Sequence, residues 1–135
     1  MDESPFEATG SGTDAAFGAF REGTRLLAER NVHAAAIALE RARELEPAMG
    51  SVREALARAY YGAGRYAAAE AEFRVLIEID PVNDYAHYGL GLCRLRAGDR
   101  GDARRHLRLA LGMSPENPDY RRAWTEAAAE SDPSE

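Results

Sequence analysis

A repeat with a fixed period is the feature of this sequence that most restricts its fold. Pro47, Pro81 and Pro115 are equally spaced, and each closes a segment with helical periodicity: "ALERARELEP", "EFRVLIEIDP" and "HLRLALGMSP". Alignment on these prolines superimposes, without a gap, Ala35, Ala69 and Ala103, then Leu39, Phe73 and Leu107, then Ala42, Leu76 and Ala110. Self-similarity at a fixed period indicates a repeat architecture, so the chain consists of three copies of one unit.

Each unit has two helical halves joined by a short turn. Gly23, Ala57 and Gly91 share one position in the first half, where a small residue lets two helix backbones approach closely. The turns "ERNVH", "GAGRY" and "AGDRG" are polar or contain glycine and suit an antiparallel helix pair. The pattern predicts helices near residues 14–29, 33–46, 50–62, 66–79, 83–96 and 100–112.

These units resemble the tetratricopeptide repeat family, whose motif has the same period of about 34 residues. The motif places leucine and a small residue in the first helix, alanine and a bulky residue in the second, and proline at the end. The chain departs from the motif at the usual tryptophan, where it has Ala19, Arg53 and His87, and at a usual leucine, where it has Glu22. The resemblance implies an all-α fold, an α-solenoid of three helix-turn-helix repeats at about residues 16–49, 50–83 and 84–117.

A seventh helix is predicted over residues 118–130 as a cap on the last repeat. After Pro118, apolar residues recur at helical spacing: Tyr120, Ala123, Trp124, Ala127 and Ala128. The other face is polar, with Arg121, Arg122, Thr125, Glu126 and Glu130. Repeat proteins need such a cap because the terminal repeat otherwise exposes an apolar face. The repeat domain is therefore placed at 14–130, between disordered tails at 1–13 and 131–135.

Composition restricts the function more weakly. The 135 residues suffice for one domain, and 23 acidic against 17 basic side chains give a net charge of −6, which disfavours a general nucleic-acid binder. Cys93 is the only cysteine and cannot form an internal disulfide. No apolar run approaches the roughly 20 residues that span a bilayer, and the first residues are acidic where a secretory signal would be basic. We expect a cytoplasmic, bacterial protein without membrane contact.

The stretch "YAHYGLGLCRLRAGD" invites interpretation as an active site. His87 and Cys93 lie six positions apart, which separates them by about 120° around a helix, so they are poorly placed to act together. His33 and His106 are isolated in the sequence, and no metal-binding spacing of His or Cys occurs. We therefore expect no catalytic residue, no metal and no cofactor, and interpret the stretch as scaffold.

The resemblance also locates a partner site, since first helices line the concave surface in this family. The positions of those helices not used for packing are Phe17, Phe20, Thr24, Leu27, Glu54, Arg58, Tyr61, Tyr85, Tyr88, Leu92, Leu95 and Arg96. They form an aromatic and aliphatic groove suited to a peptide or a helix. Two alternatives remain open: self-association or cover by the protein's own tail, and aromatic residues that are merely family inheritance.

The best known ligand mode of the family is a clamp of lysine, arginine and asparagine on a chaperone's C-terminal carboxylate. The corresponding positions here hold no cluster of such donors; they include Phe20, Thr24, Ala55, Tyr85 and Gly89. We therefore expect a noncatalytic protein-interaction module with another kind of protein or peptide partner. The alternatives are a specialised chaperone for a secreted or extended client and a structural homo-oligomer.

Residues 91–122 contain eight arginines and only four acidic residues, so a basic outer face is a further possible binding surface.

Overall fold

The computed structural model describes the backbone of residues 5–129 and the side chains of residues 12–129. This part of the chain contains helices and no strand. The helices are α1 (Pro5–Ala28), α2 (Val32–Leu45), α3 (Gly50–Gly62), α4 (Tyr66–Ile79), α5 (Asp84–Arg96), α6 (Arg100–Met113) and α7 (Pro118–Ala129). The predicted all-α fold is confirmed, and the predicted bounds of α2 to α7 agree with the observed ones to within one residue.

The start of α1 differs from the prediction. The helix begins at Pro5, so residues 5–13 are helical where the sequence predicted a disordered tail. That segment contains Gly10 and Gly12 and lacks apolar periodicity, which is why the pattern did not show it. Proline suits a first helical position because its fixed φ fits the helix and its missing N–H is not needed there. The rest of the predicted tails, residues 1–4 and 131–135, and Glu130 of the predicted cap lie outside the described residues.

The turn between the two helices of each repeat uses the same backbone conformation three times. Arg30, Gly64 and Gly98 occupy one shared position of the repeat and have positive φ angles of 64°, 78° and 86°. In the first turn, the backbone N–H of Arg30 donates to Leu27 O at 2.9 Å, which closes the end of α1. Glycine adopts this left-handed conformation at little cost, whereas arginine does not, so the first turn is the strained one.

The chain divides into two compact units. The first, Met1–Gly64, contains α1 to α3. Its core includes Leu39, Val52 and Leu56, all fully buried. Gly23 on α1 faces Leu39 on α2 so closely that a Cβ atom at Gly23 would overlap the leucine side chain. The hydroxyl of Tyr60 on α3 donates to Glu40 Oε2 on α2 at 2.5 Å and links the third helix to the pair.

The second unit, Arg65–Glu135, contains α4 to α7. Its largest fully buried side chains are Phe73, Leu90 and Leu107. The same close approach recurs here, since a Cβ atom at Gly91 on α5 would lie 2.6 Å from Leu107 Cγ on α6. Gly89 faces the ring of Phe73 on α4 in the same way. Two glycines on α5 therefore allow its close approach to α4 and to α6.

Helix α7 caps the second unit as predicted. Ala123 and Ala127 form a buried cluster with Leu107 of α6, and Trp124 packs against that cluster. Tyr120 is only 4% exposed, and its ring centroid lies 4.8 Å from that of Tyr88 on α5. The cap thus contacts both helices of the last repeat.

The close approach at Gly23 predicts opposite effects for two alanine substitutions in one helix. Gly23→Ala inserts a methyl group against Leu39, which is fully buried, and we expect a loss of about 1–3 kcal/mol of unfolding free energy. Gly18→Ala meets nothing within 4 Å and removes a flexible residue from a helix, so we expect a gain of about 0.5–1 kcal/mol. Urea denaturation of both variants measures this, and equal effects would contradict the packing of α1 on α2.

The strained turn predicts that Arg30→Gly stabilises the protein by about 1 kcal/mol, because glycine removes the cost of the left-handed conformation at φ 64°. Arg30→Ala is the control, since alanine removes the same long side chain and keeps the strain. Thermal melts of the two variants should differ, with the glycine variant higher. A glycine variant that melts below the alanine variant would show that the turn is unstrained.

Candidate functional site

The first unit brings together the predicted groove positions of α1 and α3, since these two helices contact each other. Phe17 on α1 is 45% exposed, the largest exposed fraction among the described phenylalanine side chains. Arg58 on α3 is also exposed. The other positions are half-buried: Phe20, Thr24, Leu27, Glu54 and Tyr61. This surface combines accessible apolar groups with one acidic and one basic side chain.

In the second unit, the cap contacts part of the predicted groove. Tyr88, Leu92 and Leu95 pack against the cluster formed by Leu107 and two alanines of α7. This contact was missed in the sequence because α7 lies outside the repeat and has no counterpart in the other units. These three side chains therefore contribute to the attachment of the cap.

The remaining groove positions of the second unit make aromatic contacts. The Tyr85 ring lies 5.8 Å from that of Tyr88 and 6.1 Å from that of Phe73, measured between centroids. Arg96 is exposed at the end of α5, and its guanidinium carbon lies 5.7 Å from the centre of the Tyr66 ring on α4. Such contacts hold the aromatic side chains in fixed orientations.

A buried pair of histidines was also missed in the sequence. His87 on α5 and His106 on α6 are 8% and 6% exposed, and their Nδ1 atoms lie 3.4 Å apart. The expectation that His106 is isolated is therefore wrong. His87 lies nine residues before the end of α5 and His106 six residues after the start of α6, so their spacing in the sequence gives no signal for the pair.

The neighbours of the pair specify where its protons lie. His87 Nε2 is 3.1 Å from Pro81 O, which only accepts, so Nε2 carries a proton; when the His87 ring is neutral, its Nδ1 is an acceptor. His106 must then donate from its own Nδ1 and accept at Nε2, which lies 3.4 Å from Arg105 Nη2. All four ring nitrogens have partners when both imidazoles are neutral.

Protonation of His106 is unfavourable in this setting. Burial lowers the pKa of His106, with Arg105 and His87 adding to the effect and Asp102 opposing it. Asp102 Oδ2 lies 3.8 Å from His106 Nε2, too far for a hydrogen bond that would stabilise the charged ring. The surroundings of His106 in the α5–α6 interface consequently favour its neutral form.

The other candidate for chemistry, Cys93, is buried in the second unit. Burial raises the pKa of the Cys93 thiol to about 12, so the reactive thiolate is scarce at neutral pH. Among the described side chains, no three of the types His, Cys, Asp and Glu are grouped to hold a metal ion. The chemistry that these groups offer is packing and hydrogen bonding.

Comparison with known families decides the identity of the repeat. Two models of the tetratricopeptide repeat match, one over residues 20–84 and the other over residues 63–127. The chain belongs to the tetratricopeptide repeat family. Comparison with curated proteins finds no match.

Solved tetratricopeptide repeat structures share its fold. The Arabidopsis OM64 TPR domain is 19% identical with a TM-score of 0.84, covering 88% of this chain and 98% of the other. The first TPR of Spaghetti (RPAP3), bound to the HSP90 peptide SRMEEVD, is 14% identical with a TM-score of 0.82, covering 87% and 94%. The Yersinia enterocolitica type III secretion chaperone SycD, in complex with a YopD peptide, is 15% identical with a TM-score of 0.73, covering 86% and 88%.

Two of the positions that correspond to the family's carboxylate clamp cannot supply a donor side chain in this tetratricopeptide repeat. Ala55 is only 3% exposed, and Gly89 is buried against Phe73.

The described helices include none with the length and apolar character needed to cross a membrane.

The lowered pKa of His106 predicts that the protein loses stability on acidification. A histidine whose pKa is lower in the folded than in the unfolded chain contributes stability above the unfolded value, about 6.5, and loses it as the pH falls below. We expect the unfolding free energy to be lower at pH 5.5 than at pH 7.5, with a smaller difference in His106→Asn, whose amide can still donate to His87.

Urea denaturation at the two pH values measures this difference. The exposed His33 offers a matched control, because His33→Asn removes a histidine without touching the pair. An equal pH dependence in the wild type and in His106→Asn would contradict the assignment of a lowered pKa to His106.

Proposed function

We propose that this protein is a noncatalytic interaction module that binds a peptide or a helix of another protein through the first helices of its repeats. The observation that carries the proposal is the half-exposed ring of Phe17 on α1, beside the half-buried and exposed groove positions of α3. We place the main part of the site on the first unit, because the cap covers part of the predicted groove in the second.

The physical basis is a rigid framework that presents apolar side chains. Gly23 against Leu39 fixes α1 on α2, and the Tyr60–Glu40 hydrogen bond fixes α3 on α2. Exposed aromatic side chains on fixed helices bind at little conformational cost and each bury about 150–250 Å². A partner with bulky apolar side chains is the chemistry that this surface favours.

The absence of donor side chains at two clamp positions argues against a C-terminal carboxylate as the ligand. A clamp for a C-terminal carboxylate needs several donor side chains at converging positions, and Ala55 and Gly89 offer none. We therefore propose an internal apolar segment as the ligand, with Arg58 and Glu54 orienting it through charge. A net charge of −6 makes nucleic acid an unfavourable partner. We further propose that the protein acts in a bacterial cytoplasm without a cofactor.

A second candidate function is that of a chaperone for a secreted or otherwise extended client. The fold shared with SycD, whose solved complex contains a peptide of the translocator YopD, favours it. The adaptor and the chaperone would use the same surface, and they would differ in the conformation of the bound ligand. A chaperone binds its client as an extended segment, whereas an adaptor also accepts a folded helix.

The test uses a displayed library of random peptides selected on the full chain. A selected peptide, labelled with a fluorophore, is then titrated with variants and its anisotropy measured. Phe17→Ser should raise the dissociation constant by about tenfold or more, because the bound ring no longer buries apolar area. Ile37→Ser is the matched control, since Ile37 is 70% exposed on the second helix α2 and should not affect binding.

The opposite pattern would refute the proposed site. If Ile37→Ser removes binding and Phe17→Ser leaves it intact, the second helices carry the interaction. Circular dichroism of the bound peptide separates the two candidate functions. A helical signal gained on binding supports the adaptor, and an extended bound peptide supports the chaperone.

A further inference from the structure

Four of the seven large apolar side chains exposed in the described part of the chain lie at one end of the second unit. They are Ile79 and Val82 at the end of α4 and in the next turn, and Leu109 and Met113 on the last turns of α6, with exposed fractions of 43%, 74%, 45% and 39%. We name these four residues the corner patch. Exposed apolar side chains that share one end of a domain form a candidate interaction surface.

The two halves of the corner patch are neighbours through α5. Short turns join α5 to α4 and to α6, and it packs against both, so the C-terminal ends of α4 and α6 lie on either side of its start. The Ser114 hydroxyl, just after α6, donates to Asp84 Oδ2 at the start of α5 at 2.5 Å. This hydrogen bond ties the end of α6 to the helix that follows the α4 half.

The two halves carry opposite charges. Exposed Glu78 and Asp80 flank Ile79, whereas exposed Arg105 and Arg108 flank Leu109. Arg105 pairs with Asp102 at 2.5 Å. The side chains of Arg108, Glu78 and Asp80 make no hydrogen bond or ion pair with any residue that the structure describes. Each half therefore offers unpaired charge beside exposed apolar groups.

We propose that the corner patch binds the corner patch of a second copy of this chain about a two-fold axis. A two-fold interface places the same surface of both copies in contact, so a patch with an acidic and a basic half is complementary to itself after rotation. The acidic half of each copy then faces the basic half of the other, and the four apolar side chains of each copy are covered.

The shapes of the two halves support this arrangement. Arg105, Arg108, Leu109, Gly112 and Met113 line a hollow of about 640 Å³ on α6. Gly112 is open to this hollow, since a Cβ atom placed there would meet nothing within 4 Å. Val82, the most exposed large apolar side chain described, projects from the other half and is the group that fills the hollow of the second copy.

Sedimentation equilibrium of the full chain tests the proposal first. We expect a mass that rises with concentration from 14.7 kDa and levels off at twice that value. A protein that stays monomeric at millimolar concentration overturns the proposal and leaves the patch for a different partner. A mass that grows beyond the dimer also overturns it, because a two-fold contact closes on itself.

Three substitutions then test which residues form the contact. Gly112→Gln fills the hollow without changing the charge, and Arg108→Glu and Glu78→Arg each place like charges in contact twice per dimer. Each should raise the dissociation constant of the dimer by about tenfold or more. Glu44→Arg is the matched control, because Glu44 is exposed and occupies the position of Glu78 in the preceding repeat.

A mixture of two variants gives the sharpest result. In a dimer of Arg108→Glu with Glu78→Arg, both contacts again join a carboxylate to a guanidinium, so the equimolar mixture should dimerise as the wild type does. Failure of the mixture to recover, or dimers that survive all three substitutions, would overturn the two-fold pairing. Phe17→Ser should leave the dimer unchanged, which separates this proposal from the binding of peptides by the first helices.

Discussion

The close approach of paired helices at glycine is the constraint on which the rest of the structure depends. Leu39 occupies the space beside Gly23, and Leu107 occupies the space beside Gly91. Each leucine is fully buried, so the contact fixes both the distance and the rotation of the two helices. Once the rotation is fixed, the side chains that face away from the pair are determined as well. The exposure of Phe17 on α1 is thus a consequence of Gly23 on the same helix.

Much of the fold could be predicted from the sequence because the same helix and turn positions occur in all three repeats and can be compared with one another. The turn at Arg30 illustrates this, since its sequence alone gives no reason for a left-handed residue, yet Gly64 and Gly98 at the same position do. The start of α1 at Pro5 lies before the first repeat and has no second copy to compare. Prediction failed at this end because residues 5–13 have neither a second copy to compare nor the apolar periodicity that indicated α7.

The candidate site was predictable to a different extent in the two units. Position within the repeat was sufficient for Phe17 and Arg58, which are exposed as expected. It was insufficient for Tyr88, because the Tyr120 ring that covers it belongs to the cap, which the repeat pattern does not include. The histidine pair could not be predicted from the sequence either. His87 and His106 lie on different helices, and only the antiparallel packing of α5 and α6 brings their rings together.

The contacts between glycine and leucine determine which side chains α1 and α6 leave exposed. On α1 the packing contact is made at Gly23 while Phe17 stays exposed, whereas α6 buries Leu107 and turns Arg108 and Leu109 outward. An outward surface with one sign of charge would repel another copy, and a purely apolar one would associate without a fixed orientation. In the proposed dimer, Glu78 and Arg108 lie on opposite halves of the corner patch, so charge would select one orientation of the second copy. The corner patch belongs to the second unit and Phe17 to the first, so the two proposed contacts use different residues.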